Sequence, residues 1–98
     1  MNKVYIVISG GNLFIGKLFK NHDVWQIENP RGLIPMQGSR PGQVNLTMSN
    51  ILGDPKLIYI EGSMVYFVPE DQSLINEYIK ETTGIQVASS IVDFKRPN

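Results

Sequence analysis

Only one pair of neighbouring side chains in this sequence has the types needed for acid–base chemistry. His22 is the single histidine, and Asp23 follows it directly. An imidazole oriented by a carboxylate can act as a general base, but it needs a nucleophile beside it, and the sequence places no serine there. A histidine at a strand end is more commonly a hydrogen-bonded turn residue. We therefore expect no enzymatic activity.

The sequence offers as little for metal or nucleotide chemistry. The chain has no cysteine, and no two of its carboxylates have the spacing typical of a metal site. Gly10 and Gly11 are not followed by the helix that a phosphate-binding loop requires, so they predict a hairpin turn instead. We expect neither a metal nor a cofactor.

Trp25 is the side chain with two competing interpretations. A single tryptophan on a short strand usually belongs to the core. At the tip of a strand, the same ring can stack on an unpaired base, which contributes about 1–3 kcal/mol per base. Arg31 and Arg40 lie in a turn-rich segment and could contact phosphate or a partner, although solvated loop arginines are commoner.

The composition indicates one small soluble domain. The chain has 98 residues, with nine basic and nine acidic side chains. A net charge of zero argues against a dispersed electrostatic DNA binder, although it is compatible with a local basic patch. Residues 1–60 carry six bases and three acids, whereas residues 61–98 carry three bases and six acids. No apolar run approaches the ~20 residues of a membrane span. With no cysteine, the sequence predicts a cytoplasmic protein.

Short β-branched and aromatic runs separated by turns predict a mainly β fold. Gly16, inside the second run, predicts a sharp bend or a close backbone approach. Residues 30–42 are rich in proline and glycine and predict a turn-rich segment. The predicted strands are 3–8, 13–21, 24–28, 43–48, 57–60 and 64–68.

After Pro69 the hydrophobic period changes to that of a helix. Asp71 or Ser73 can cap a helix that runs to about Thr83, where Gly84 is the expected stop signal. Residues 85–94 predict a further strand or an arm.

The order of these features resembles the Sm/LSm/Hfq family of RNA-binding proteins. Residues 3–29 are similar to its first signature: a strand (VYIVI), a glycine turn (SGGN), an apolar–Gly–apolar segment (LFIGKL) and a polar turn with an acid (NHD). The spacing of Gly11 and Gly16 matches that signature's glycine pair. Residues 57–68, LIYIEGSMVYFV, are similar to the second signature, in which a strand ends in a hydrophobic–Arg–Gly turn. The chain resembles a divergent, phage-type member.

The resemblance implies a single Sm-like domain over residues 1–98. Its core would be a small five-stranded, strongly bent antiparallel barrel at 3–68 with a variable hairpin at about 30–50, followed by an added C-terminal helix and strand at 71–98. Family members pair their fourth and fifth strands edge to edge and close rings of five to seven subunits. The implied interface residues here are Leu57, Ile58, Tyr59, Ile60, Met64, Val65, Tyr66 and Phe67.

Family members bind single-stranded, often U-rich RNA at the pore with the turns after strands two and four. Carried over to this chain, those turns supply His22, Asp23, Trp25, Gln26, Glu61, Gly62 and Ser63. Two registers are open at the first turn. In one, His22 replaces the family's Asp and Gln26 its Asn. In the other, which we favour, Asp23 keeps the acid, Trp25 stacks on the base, and Gln26 is a candidate reader of the base edge.

The second turn departs from the family pattern because Glu61 replaces the Arg, while Gly62 is kept. A carboxylate repels phosphate, but it can accept a hydrogen bond from a base or pair with a cation across an interface. Two hypotheses follow from this departure. The protein is a non-enzymatic ring that binds single-stranded RNA, or it is a structural or protein-interaction ring that has lost RNA binding. A monomeric OB-type binding barrel is a third, more distant alternative.

Overall fold

In a computed structural model of the protein, residues 3–83 are described. The chain divides into two compact units, Met1–Val68 and Pro69–Asn98. The predicted stop signal Gly84 and the predicted strand or arm at 85–94 lie outside the described residues.

The first unit is a mainly β structure, as predicted. Its six strands are β1 Val4–Ser9, β2 Asn12–Asn21, β3 Val24–Gln37, β4 Val44–Ser49, β5 Leu57–Ile60 and β6 Val65–Phe67. All pairings are antiparallel, in the order β4-β3-β2-β1-β6, with β5 pairing β3 beside β4. The long strand β3 is therefore the one that brings the two halves of the sequence together.

The sheet is open and has six strands, which corrects the expectation of a closed five-stranded barrel. Within residues 3–83, β6 pairs only with β1, and β4 and β5 pair only with β3, so both ends of the sheet keep an unpaired edge. β4 and β5 are two separate strands because a tight turn between them interrupts the pairing with β3. In that turn the Asp54 amide donates to the Ile51 carbonyl at 2.8 Å, and Gly53 and Asp54 both have positive φ.

Strand β3 is longer than predicted. It passes through Pro30 and Pro35, and only residues 38–43 form the predicted turn. Pro35 is tolerated because this end of β3 pairs with β4 alone, so the missing N–H can face the open edge. The prolines of this segment predicted turns rather than a strand. A sequence does not reveal which edge of a strand is unpaired and can therefore accept a residue that lacks an N–H.

Gly16 occupies a bulge, which confirms the predicted close backbone approach. The register between β2 and β3 shifts between Ile15 and Lys17, where Asn29 takes a positive φ of 53°. The Asn29 amide donates to the Lys56 carbonyl at 2.9 Å. Strand β3 therefore changes partner at this bulge, from β5 before it to β4 after it.

Both faces of the sheet carry buried side chains, since Ile6 and Val7 are adjacent in β1 and both are buried, and Ile15, opposite Ile6, is buried too. Val7, Leu18, Ile27 and Ile60 form a buried cluster. Partly buried side chains pack against that cluster: Tyr5, Phe14, Trp25, Ile58 and Met64. Trp25 and Ile27 therefore lie on one face of β3, and Gln26 between them lies on the other.

The second unit contains helix α1, Gln72–Thr83. Of the two predicted candidates for the cap, Asp71 and Ser73, it is Asp71 that caps the helix: its Oδ1 accepts hydrogen bonds from the Ser73 hydroxyl at 2.6 Å and the Ser73 amide at 3.0 Å. These bonds lower the pKa of the Asp71 carboxyl below its usual range. Leu74 and Tyr78, one turn apart on the helix, are buried. No helix within residues 3–83 is long and apolar enough to cross a membrane.

Candidate functional site

An open cleft of about 650 Å³ lies where the β2–β3 turn meets the end of β5. The pairing of β3 with β5 builds it, since Trp25 lies opposite Ile60 and Gln26 opposite Tyr59. The lining residues are Asn21, His22, Asp23, Val24, Trp25, Gln26, Tyr59, Ile60, Glu61 and Gly62. Two turns almost forty residues apart in the sequence thus share one concave surface.

The cleft gathers six of the seven residues that the resemblance implied for RNA binding. The exception is Ser63, which does not line it; its carbonyl instead accepts a hydrogen bond from the Ser9 hydroxyl at 3.2 Å. The resemblance also placed Val24 in the first turn, and Val24 lines the cleft. Sequence reasoning did not assign Asn21 to the site, and it assigned Tyr59 and Ile60 only to an interface.

The first turn holds its two residues in a strained backbone conformation. His22 and Asp23 have φ values of 53° and 67°, and their neighbours Asn21 and Val24 pair across the hairpin. Positive φ at both central positions is typical of a type I′ hairpin turn, which prefers Asn or Asp followed by Gly. Histidine and aspartate are among the non-glycine residues enriched at positive φ, so His22 and Asp23 can both adopt this turn, although Asn is preferred at the first position. Both side chains are exposed in the cleft.

Trp25 belongs to the core and to the cleft at once. Its ring packs against the buried cluster and is half-buried, yet it lines the cleft. The Tyr66 ring lies 5.5 Å from it at a tilt of 43°, and Tyr5 packs edge-on against Tyr66 at 5.5 Å. The Lys20 ammonium lies 5.6 Å from the Trp25 ring centroid, in cation–π range. These contacts fix the ring without removing it from the cleft.

Gln26 is the buried polar residue of this site. It is only 7% exposed although it lines the cleft. Its side-chain amide makes no hydrogen bond to another residue within 3–83. The amide atoms of Gln26 are not among the fully buried atoms that lack a partner, so they are open to water or to a ligand in the cleft.

The charged groups of the cleft are mainly acidic. Asp23 comes from the first turn and Glu61 from the second, and none of the lining residues, all within 3–83, is a lysine or an arginine. Gly62 has a φ of 89° and no atom within 4 Å of an added Cβ, so the backbone conformation alone requires glycine there.

Strands β5 and β6, which the family resemblance implies as the interface between subunits, carry several exposed side chains. Tyr59, Val65, Tyr66 and Phe67 are between 45% and 63% exposed, and Leu57 is 36% exposed. Three further implied residues face inward: Ile60 is in the buried cluster, and Ile58 and Met64 pack against it. Those three can contribute only backbone groups to a contact along the strand edge.

Sequence reasoning missed the Lys20 and Tyr66 contacts to Trp25. The signal for Lys20 was available, since it lies directly opposite Trp25 once the hairpin turn is placed at residues 22–23. The Tyr66 contact depends on β6 pairing with β1, a long-range pairing that no local pattern encodes.

Together, the fold and the cleft of residues 3–83 define a mainly β structure with an open antiparallel sheet, a helix and a concave site built from two turns. No known family's sequence model matches the chain, and no curated protein matches it. Within residues 3–83, no group of three histidine or acidic side chains is placed to hold a metal ion.

Proposed function

We propose that this protein is a non-enzymatic Sm-like ring protein that binds single-stranded RNA in the cleft. The observation that carries this proposal is that the turns at 22–23 and 61–62 line one concave surface. Strands β4 and β5 both pair with β3 and can be counted as one interrupted strand. On that count these are the turns after strands two and four, which the family resemblance implies.

The side chains of the cleft suit a base better than a phosphate. Trp25 offers a half-buried aromatic surface held by neighbouring rings, and stacking on such a ring is worth about 1–3 kcal/mol per base. Gln26 offers an amide with both a donor and an acceptor. Single-stranded RNA is recognised in this way, by stacking and by hydrogen bonds to exposed base edges.

The unpaired edges of the sheet support a ring. Strand β5 keeps one free edge and β6 another, and the exposed apolar side chains Tyr59, Val65 and Phe67 lie on them. Free apolar edges recruit further strands unless they are protected. Pairing β6 of one copy with β5 of the next is a head-to-tail contact, and such contacts close into rings when the rotation permits.

A second candidate function follows from the charge of the cleft. Asp23 and Glu61 bring two carboxylates against the Lys20 ammonium beside the Trp25 ring, so the charge around the cleft disfavours a phosphate backbone. On this alternative the protein is a structural or protein-interaction ring of the same fold that does not bind RNA.

Titration of tryptophan fluorescence separates the two functions, because Trp25 is the only tryptophan. Oligonucleotides of uridine, cytidine and adenosine are added to the full chain at moderate salt. Stacking on Trp25 would quench its emission in a saturable way for at least one of them. No quenching and no retention of any labelled oligonucleotide at micromolar protein would reject the RNA-binding function.

Sedimentation of matched variants tests the ring. Val65 and Val44 are 60% and 62% exposed, but only Val65 lies on an edge that the proposed ring uses. Val65→Lys would place a charge in each subunit contact and lower the assembly mass from five to seven subunits towards that of the monomer. Val44→Lys would leave the mass unchanged. A wild-type protein that sediments as a monomer would reject the ring.

A further inference from the structure

The two turns of the cleft each contribute one hydrogen-bond acceptor that carries a negative charge. Asp23 lies in the turn between β2 and β3, and Glu61 follows the end of β5. An ionised carboxylate accepts hydrogen bonds and donates none. The cleft therefore favours a ligand that presents N–H donors and disfavours one that presents oxygen acceptors at the same places.

The amide of Gln26 adds a neutral polar group to the same cleft. The residue is 7% exposed and makes no hydrogen bond to another residue within 3–83. An amide can donate to one atom and accept from a neighbouring one, which is the pattern that base edges offer. Gln26 and Trp25 are adjacent in β3, so their side chains leave opposite faces of the strand, and the cleft that both line extends around the end of this hairpin.

We propose that the cleft selects bases that carry an exocyclic amine and discriminates against uracil; this inference rests on the proposed RNA binding. The N4 amine of cytosine donates to a carboxylate such as Glu61, and the N6 amine of adenine can do the same. Uracil places the O4 acceptor where cytosine has its amine. Its remaining donor, N3–H, lies between two carbonyl oxygens, and a carboxylate that accepts from it is repelled by both.

The size of the preference follows from a single hydrogen bond to a charged group. One well-placed contact to a base edge discriminates on the order of 10-fold against the wrong base. A preference of that size for cytosine over uracil would be the reverse of the U-rich binding that the family resemblance implies. Glu61, which replaces the family's Arg, is the cause of the reversal.

The test compares ligands that differ in the amine alone. Fluorescence titration of the full chain measures affinities for oligocytidine and oligouridine of equal length, and for oligoadenosine against the same oligomer of purine riboside, which lacks the 6-amino group. Glu61→Gln keeps the length of the side chain but removes its charge and adds a donor. Asp54→Asn removes one charge from an exposed turn outside the cleft and is the matched control.

We expect the wild-type protein to bind oligocytidine about 10-fold more tightly than oligouridine. Glu61→Gln should bring the two affinities close together, and Asp54→Asn should leave their ratio unchanged. Equal or tighter binding of oligouridine by the wild type, or a ratio that Glu61→Gln does not alter, would overturn the inference and leave RNA binding intact. Failure of every oligonucleotide to bind would overturn both.

Discussion

Replacing Gly16 by alanine tests whether the bulge positions the cleft. A Cβ at residue 16 would meet the Ile27 Cγ2 well inside 3.0 Å, the Glu28 carbonyl oxygen at 3.2 Å and the Pro30 Cα at 3.4 Å. Ile27 is completely buried and β-branched, so its methyl group has nowhere to move. The other two atoms belong to the backbone of the bulge where β3 changes partner.

The expected loss of stability combines two opposing effects. Overpacking a well-packed core costs about 1–3 kcal/mol. Alanine also restricts the unfolded chain more than glycine does, which returns about 0.4–1 kcal/mol. The midpoints of these two ranges, about 2 and about 0.7 kcal/mol, give a net loss of about 1.3 kcal/mol for Gly16→Ala. For a domain of this size that corresponds to a fall in the melting temperature of roughly 5–10 °C.

Gly38→Ala is the matched control for this experiment. An added Cβ there would lie 2.5 Å from the Cγ and Cδ atoms of Gln43 and 2.9 Å from its Cβ, in an exposed surface turn rather than in the core. The exposed turn at 38–43 can shift its backbone, because it carries no buried side chain. The unfolding free energy of Gly38→Ala should therefore fall by less than about 1 kcal/mol. Urea and thermal unfolding followed by circular dichroism measure both variants. A Gly16→Ala variant as stable as Gly38→Ala would refute the close approach at the bulge.

Three further predictions concern the turn, the helix cap and the aromatic contact. His22→Asn places a residue that tolerates positive φ at the first turn position, and urea unfolding should show a gain of roughly 0.5 kcal/mol; a loss would contradict the turn assignment. Hydrogen bonds from Ser73 lower the pKa of the Asp71 carboxyl in the folded protein. The stabilisation that the Asp71 cap provides is therefore complete when the pH is above the ordinary carboxyl pKa, and it is lost as the pH falls through the lowered pKa of the folded state. Asp71→Ala should therefore lower the helical signal at neutral pH but not in strong acid, and an equal effect at both would exclude the cap. Tyr66→Leu removes the ring 5.5 Å from Trp25 and should shift its emission to longer wavelength, whereas an unchanged spectrum would show that Tyr66 does not shape the Trp25 environment.

The sequence predicts the elements of this fold better than their pairing. Local residue preferences correctly indicate all six strands, the glycine turns and the cap at Asp71. They fail at β3, where Pro30 and Pro35 suggest a loop although the strand continues to Gln37. Proline lacks a backbone N–H donor. Whether a strand needs that donor depends on whether another strand, distant in the sequence, pairs with that edge. They also cannot show that the sheet stays open.

The cleft illustrates the same division between local and long-range information. The resemblance supplies its two turns, but the pairing of Trp25 with Ile60 is what brings those turns together. The burial of Gln26 and the contact between Trp25 and Tyr66 depend on strand register, which hydrophobic pattern alone does not fix across distant segments. The chemical types at the site were therefore predictable, whereas their mutual positions were not.

The acidic lining of the cleft has a consequence for affinity and predicts a dependence on RNA length. Without phosphate contacts, one cleft can offer stacking of about 1–3 kcal/mol and a hydrogen bond or two, and a total near 4 kcal/mol corresponds to a Kd of only about 1 mM. Micromolar binding then requires several clefts to engage one strand, because linked sites raise the effective concentration.

We therefore expect affinity to rise steeply as an oligonucleotide grows from two to about seven nucleotides, with a weak dependence on salt. Val65→Lys should abolish that rise, because a protein separated into subunits offers one cleft per molecule, whereas Val44→Lys should preserve it. Affinity that is independent of length but falls steeply with salt would contradict this reasoning. It would show that binding comes from phosphate contacts at basic side chains such as Arg31 and Arg40, outside the cleft.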